Sequence, residues 1–152
     1  MNAIGDAVVA EARRWLGTPY REGASTLGRG CDCAGLLIAC AAVIGLDLSG
    51  RRGAGTPGSM QDVLDVHLSR LALTPDARAR DQALALSRPG DVLVFRRSVG
   101  GHPLHGGIRS DLHEGRVGVV HAHQGIGRVV ETGLDGIQLR LLYGIWRWRG
   151  TR

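Results

Sequence analysis

The chain of 152 residues is 43% hydrophobic and 22% charged, the proportions of a folded globular protein, which excludes disorder as the default. Its 19 basic residues are all arginine, outnumber 14 acidic ones and give a net charge of +5, yet they stand singly or in pairs such as Arg13-Arg14, Arg51-Arg52 and Arg96-Arg97. No basic run marks a nucleic-acid face, three cysteines cannot form a complete disulfide framework, and no stretch reaches the length of a membrane span.

By length the chain is one domain, residues 1–152. Ile4, Val8, Ala12 and Trp15 or Leu16 recur at helical spacing, which predicts a helix from about Ala3 to Leu16, stopped by Gly17 and Pro19. This opening carries Asp6 and Glu11 and lacks the basic start and apolar run of a signal peptide, so the expected product is made in the cytoplasm. A loop from Tyr20 to Gly30 leads into Gly30-Cys31-Asp32-Cys33-Ala34-Gly35-Leu36-Leu37. Asp32 is a good N-cap type, so Cys33 becomes the first residue of a helix whose apolar body runs to Val43 and which Gly45 can close in a left-handed conformation. A thiol at a helix start feels the positive end of the dipole and unpaired backbone N–H groups, which favour the nucleophilic thiolate. Cys40, seven positions on, reads as core packing, and Cys31 as a loop residue. A zinc site from Cys31, Cys33, Cys40 and a histidine lacks the Cys-x-x-Cys spacing of structural zinc, so no metal or other cofactor is expected.

Asp47 to Gly58 is a turn-rich loop. Ser59-Met60-Gln61-Asp62 resembles a capping box and opens a predicted helix to about Leu71, with a further short helix from Asp76 to Leu86. After Pro89-Gly90-Asp91 the period changes. Val92 to Phe95 reads as a buried strand, followed by extended segments at His105 to Arg109, Gly118 to His123, Val129 to Thr132 and Ile137 to Trp148. Helices first and strands after predict an α+β fold, with helices packed on one face of an antiparallel β-sheet.

A cysteine at a helix start and distant strand histidines are the sequence form of a cysteine hydrolase. His105 begins a strand with two glycines that permit close approach. His121 and His123 alternate along one strand and so share a face; spacing alone does not choose between them.

Five motifs then occur in order: Gly17-Thr18-Pro19-Tyr20, Asp32-Cys33-Ala34-Gly35-Leu36, Pro89 to Phe95, His105-Gly106-Gly107-Ile108 and Val120-His121-Ala122. Together they resemble the NlpC-type cell-wall cysteine peptidases of the papain-like superfamily, and most nearly the short branch found in phage tails and gene transfer agents. The resemblance spans nearly the whole chain. It implies a papain-like fold with Cys33 as nucleophile, His105 as base and His121 orienting it, and with Tyr20 and Asp32 as substrate-binding residues. Ala34 stands where serine is common in the family, a departure that touches substrate contacts more than chemistry. The implied activity is a peptidoglycan endopeptidase cutting a stem-peptide bond of the D-γ-glutamyl to diamino acid type. The implied setting is the tail or baseplate of a phage-like particle, acting at the recipient's cell wall without a membrane anchor or nucleic-acid partner. An amidase or acyltransferase on the same fold, or a structural tail module with an idle site, are the competing readings. The aromatic segment Leu141 to Trp148 is either a surface for docking other tail proteins or the closing strand of the sheet.

Overall fold

Asn2 accepts a hydrogen bond from the N–H of Gly5 (3.1 Å) and so starts helix α1, Ala3–Arg14. Val8, Ala12 and Trp15 are buried as the helical spacing predicts, while Leu16 is exposed. The computed structural model describes residues 2–48, 64–98, 100–101 and 103–149. After a two-stranded ribbon of β1 (Ser25–Thr26) and β2 (Gly30–Cys31), helix α2 spans Cys33–Val43 and packs against α1. Gly45, at φ +85°, ends α2: its N–H bonds the carbonyl of Ala42 and the N–H of Leu46 that of Ala41. This left-handed closure satisfies carbonyls the helix end would otherwise orphan.

The remaining elements are β3 (Leu68–Leu73), α3 (Ala77–Leu86), β4 (Val92–Arg96), β5 (Pro103–Asp111), β6 (Val117–His123), β7 (Arg128–Gly133), α4 (Gly136–Leu141) and β8 (Leu142–Trp148). Six strands form one antiparallel sheet in the order β3-β8-β4-β5-β6-β7. The fold is α+β, with helices on an antiparallel sheet as expected. Helices, however, cover both faces. Val92, Val94, Ile108, Val120 and Ala122 pack with α1 and α2, whereas Leu93, Phe95, Val119 and Ile145 pack with Ala83 of α3.

Two predicted elements change type. Residues 64–67 are helical, but Leu68 to Leu71, expected to continue that helix, belong to strand β3. Leu64, Leu68 and Leu71 suit a helical stripe, but pairing with β8 (Leu68 opposite Trp148, Arg70 opposite Trp146) overrides local periodicity. The capping box at Ser59–Asp62 and most of the Asp47–Gly58 loop lie outside the described residues. Ile137 to Leu141, expected to be extended, forms α4, a short run of good helix formers set off by Asp135 at its N-cap position.

Leu142 to Trp148 is an interior strand with Leu142, Ile145, Trp146 and Trp148 buried, so the docking alternative for this segment is corrected in favour of the core one. Its Arg147 grips the buried carboxylate of Asp91 through Nε (2.9 Å) and Nη2 (2.8 Å), and Trp148 Nε1 donates to the Gly90 carbonyl (2.9 Å). The Pro89-Gly90-Asp91 motif thus anchors β8 beside β4.

Candidate active site

A cleft of about 350 Å³ opens where the first turn of α2 meets strands β4, β5 and β6. Tyr20, Cys33, Arg97, His105, His121 and His123 line it, with Phe95, Ile137 and Leu141 as apolar wall. Four of the five predicted site residues therefore share one cavity. Asp32 does not line it: buried, it accepts the N–H of Gly35 at Oδ1 and that of Gly23 at Oδ2, both at 2.8 Å. The first bond caps α2 and the second fastens the 20s loop, so Asp32 positions Cys33 from beneath. Cys31, expected in a loop, is fully buried in β2, and Cys40 is fully buried in the core.

Cys33 is half-buried at the head of α2. Burial pushes its thiol above the ordinary 9.0, and the carboxylate of Asp32 adds to this, while the backbone amides of Gly106 and Ala34 and the charge of Arg97 pull the other way. The amides at the helix start thus act in the expected direction, toward thiolate, but desolvation outweighs them and the net shift is upward.

Of the two histidines on that face, His121 is the one in contact with His105. His105 Nε2 lies 2.9 Å from His121 Nδ1, and His121 Nε2 lies 3.1 Å from Thr132 Oγ1, which also accepts from Gln138 Nε2 at 3.4 Å. His123 shares the face but turns its Nδ1 to the N–H of Ile126 (3.0 Å) and makes only an edge contact with His121, ring centroids 5.3 Å apart. Gly107 makes the His105–His121 contact feasible. A Cβ there would stand 2.6 Å from Val119 Cγ2 and 2.9 Å from both His121 Cβ and the Val120 carbonyl. Burial holds both imidazoles neutral, helped by His123 and Arg97 around His105 and by His105 and His123 around His121, with values down to about 4 and about 3. A neutral imidazole can accept a proton, which is what a general base must do.

Thr132, Gln138 and Arg97 were not singled out by sequence. Thr132 was within reach: β6–β7 pairing sets Val119 opposite Thr132 and His121 opposite Val130, so Thr132 is the diagonal polar neighbour of His121. Gln138 lies in α4, a segment whose sequence pattern predicts an extended strand.

The fold is the papain-like α+β fold of the NlpC/P60 structures. Among solved structures, the chain is similar to a Staphylococcus aureus protein described as similar to lipoprotein, NLP/P60 family (TM-score 0.67, 20% identity, 99% of this chain), and spans only 43% of that chain. It is also similar to an N-acetylmuramoyl-L-alanine amidase from Bacteroides uniformis (TM-score 0.65, 14% identity, 97% of this chain and 99% of that one). A third likeness is to NlpC1 from Trichomonas vaginalis (TM-score 0.62, 21% identity, 97% of this chain and 45% of that one). No protein-family model and no curated protein matches the sequence.

Proposed function

We propose that the chain is a cysteine-dependent peptidoglycan hydrolase cleaving a stem-peptide amide of the D-γ-glutamyl to diamino acid type. The observation that carries this reading is the 2.9 Å contact of His105 Nε2 with His121 Nδ1, in the wall of the cleft that holds Cys33 at a helix start. In the tautomer that serves catalysis, His105 donates from Nε2 to His121, which donates on to Thr132. His105 Nδ1 then keeps its lone pair for the thiol proton.

Transfer of that proton frees the sulfur to attack the substrate carbonyl. The C–N bond breaks as His105 returns the proton to the leaving amine, leaving a thioester on Cys33. His105 next takes a proton from water, which attacks the thioester and regenerates the thiol. The Cys33 backbone N–H at the helix start is the candidate oxyanion donor, and Tyr20, half-buried in the same cleft, is the candidate substrate contact.

A second reading, hydrolysis of the amide joining the glycan to the stem peptide, is favoured by the likeness to the Bacteroides uniformis amidase over 99% of that chain. Digestion of peptidoglycan followed by mass identification separates the two. New amino termini on the diamino acid support the endopeptidase, and termini on the first stem alanine support the amidase. Fragments released equally by Cys33→Ala protein would overturn both. Delivery within the tail of a phage-like particle is part of the proposal and rests on the motif resemblance. Mass spectrometry of purified particles tests it, and absence of the protein from them would sink it.

A further inference from the structure

Two arginines, Arg96 and Arg97, stand on one side of the cleft, and among its described lining residues there is no aspartate or glutamate; the carboxylates of Asp32 and Glu22 act on Tyr20 from outside that lining. The two arginines differ. Arg96, where β4 slips register against β5, lays its guanidinium over the Tyr143 ring at 4.8 Å. Arg97 is exposed, forms no hydrogen bond or ion pair among the described residues, and stands just past Phe95, whose strand partner is His105. Its charge acts on Tyr20, Cys33 and His105 alike, which puts the guanidinium within electrostatic reach of the reacting centre. A planar fork of unused N–H donors at the edge of a half-enclosed cleft is matched to a carboxylate.

The γ-linked bond of the proposed substrate carries such a group: the residue that supplies the scissile carbonyl keeps its α-carboxylate free unless it has been amidated. We infer that Arg97 forms a carboxylate subsite for this group, so that the enzyme selects stem peptides with the free α-carboxylate over those carrying the carboxamide. The subsite rests on the hydrolase reading for its substrate, but binding can be measured apart from turnover.

Two synthetic peptides test it, L-Ala-γ-D-Glu-diaminopimelate and its α-carboxamide counterpart. Cleavage is followed with the wild-type, Arg97→Gln and Arg97→Lys proteins, and binding by calorimetry with Cys33→Ala and Cys33→Ala/Arg97→Gln. The wild type should prefer the acid by roughly tenfold or more in kcat/KM, the scale of one charge-assisted hydrogen-bonded contact. Arg97→Gln should bring the acid-to-amide ratio toward one, chiefly through KM for the acid, and Arg97→Lys should keep part of the preference. An unchanged ratio in Arg97→Gln, or equal binding of the two peptides to Cys33→Ala, would overturn the subsite while leaving the hydrolase reading intact. Arg97-dependent preference in binding without cleavage of either peptide would uphold the subsite and overturn the assignment of the bond. Binding of neither would overturn both.

Discussion

Replacing Asp32 by asparagine should weaken the fold and at the same time quicken the thiol. In the native protein one carboxylate oxygen caps α2 through Gly35 and the other holds Gly23, both at 2.8 Å. An amide has one oxygen, so Asp32→Asn keeps one of these acceptors and turns an NH2 group toward the other backbone N–H. Losing one buried hydrogen bond to a charged group costs about 1–3 kcal/mol. At about 2–4 °C per kcal/mol for a chain of this size, the melting temperature should fall by about 2–12 °C. The missing negative charge acts in the opposite sense on chemistry. Because Asp32 helps raise the Cys33 thiol, its loss should lower that thiol's pKa and enlarge the thiolate fraction at neutral pH. Circular dichroism melts and iodoacetamide labelling followed by intact mass between pH 5 and 9 read the two effects. The fully buried Cys31 and Cys40 should lag as internal controls. The wild-type labelling rate should climb about tenfold per pH unit through neutrality. A wild-type rate already flat below pH 7 would refute the protonated thiol, and an Asp32→Asn protein that melts unchanged or labels more slowly would refute the role given to Asp32.

His121→Ala should lower kcat by about 10²–10⁴, His121→Asn less because its amide oxygen can still accept from His105, and His123→Ala little, as steady-state kinetics on stem peptides would show; the reverse ranking would exchange the two histidines. Thr132→Val should lower kcat modestly without changing KM, because Thr132 bonds His121 and does not itself line the cleft. Gly107→Ala should cost about 1–3 kcal/mol in denaturant unfolding and a larger share of activity, since its Cβ collides with Val119, His121 and rigid backbone. Acid should destabilise the protein. His105 and His121 stay neutral down to about 4 and about 3, whereas unfolded histidines take up protons near 6.5, so stability is full above pH 6.5 and falls on acidification toward pH 4. With two protons taken up on unfolding, the slope approaches about 2.7 kcal/mol per pH unit, and His121→Asn should roughly halve it. Urea midpoints that do not move between pH 7 and 5 would contradict this.

The helical signals that were read correctly are local ones. Asp32 before an apolar run and Gly45 after it specify α2 by capping alone, and Asp76 does the same for α3, accepting from the N–H of Ala79 at 2.8 Å. Where partners lie far away in the chain, pattern reading fails: Leu68 to Leu71 become a strand because β8 is available to pair with them. The site divides along the same line. Cys33 and His105 announce themselves by context, whereas the contact of His121 rather than His123 with His105 depends on the close approach that Gly107 permits. The state of the thiol depends on how deeply the cleft buries it, a three-dimensional quantity that helix-end arguments do not contain.

Among the described residues strand β8 follows every other element, yet it sits between β3 and β4. Until it is made and inserted, β3 has no neighbour and β4 presents an open edge beside the strands that carry the histidines. Its pairings with β3 close a long loop, which costs chain entropy before the contacts repay it. The nucleophile's helix is built from local contacts, whereas the completed sheet depends on the most distant ones. A molecule without β8 in place would expose strand edges able to pair with a second copy.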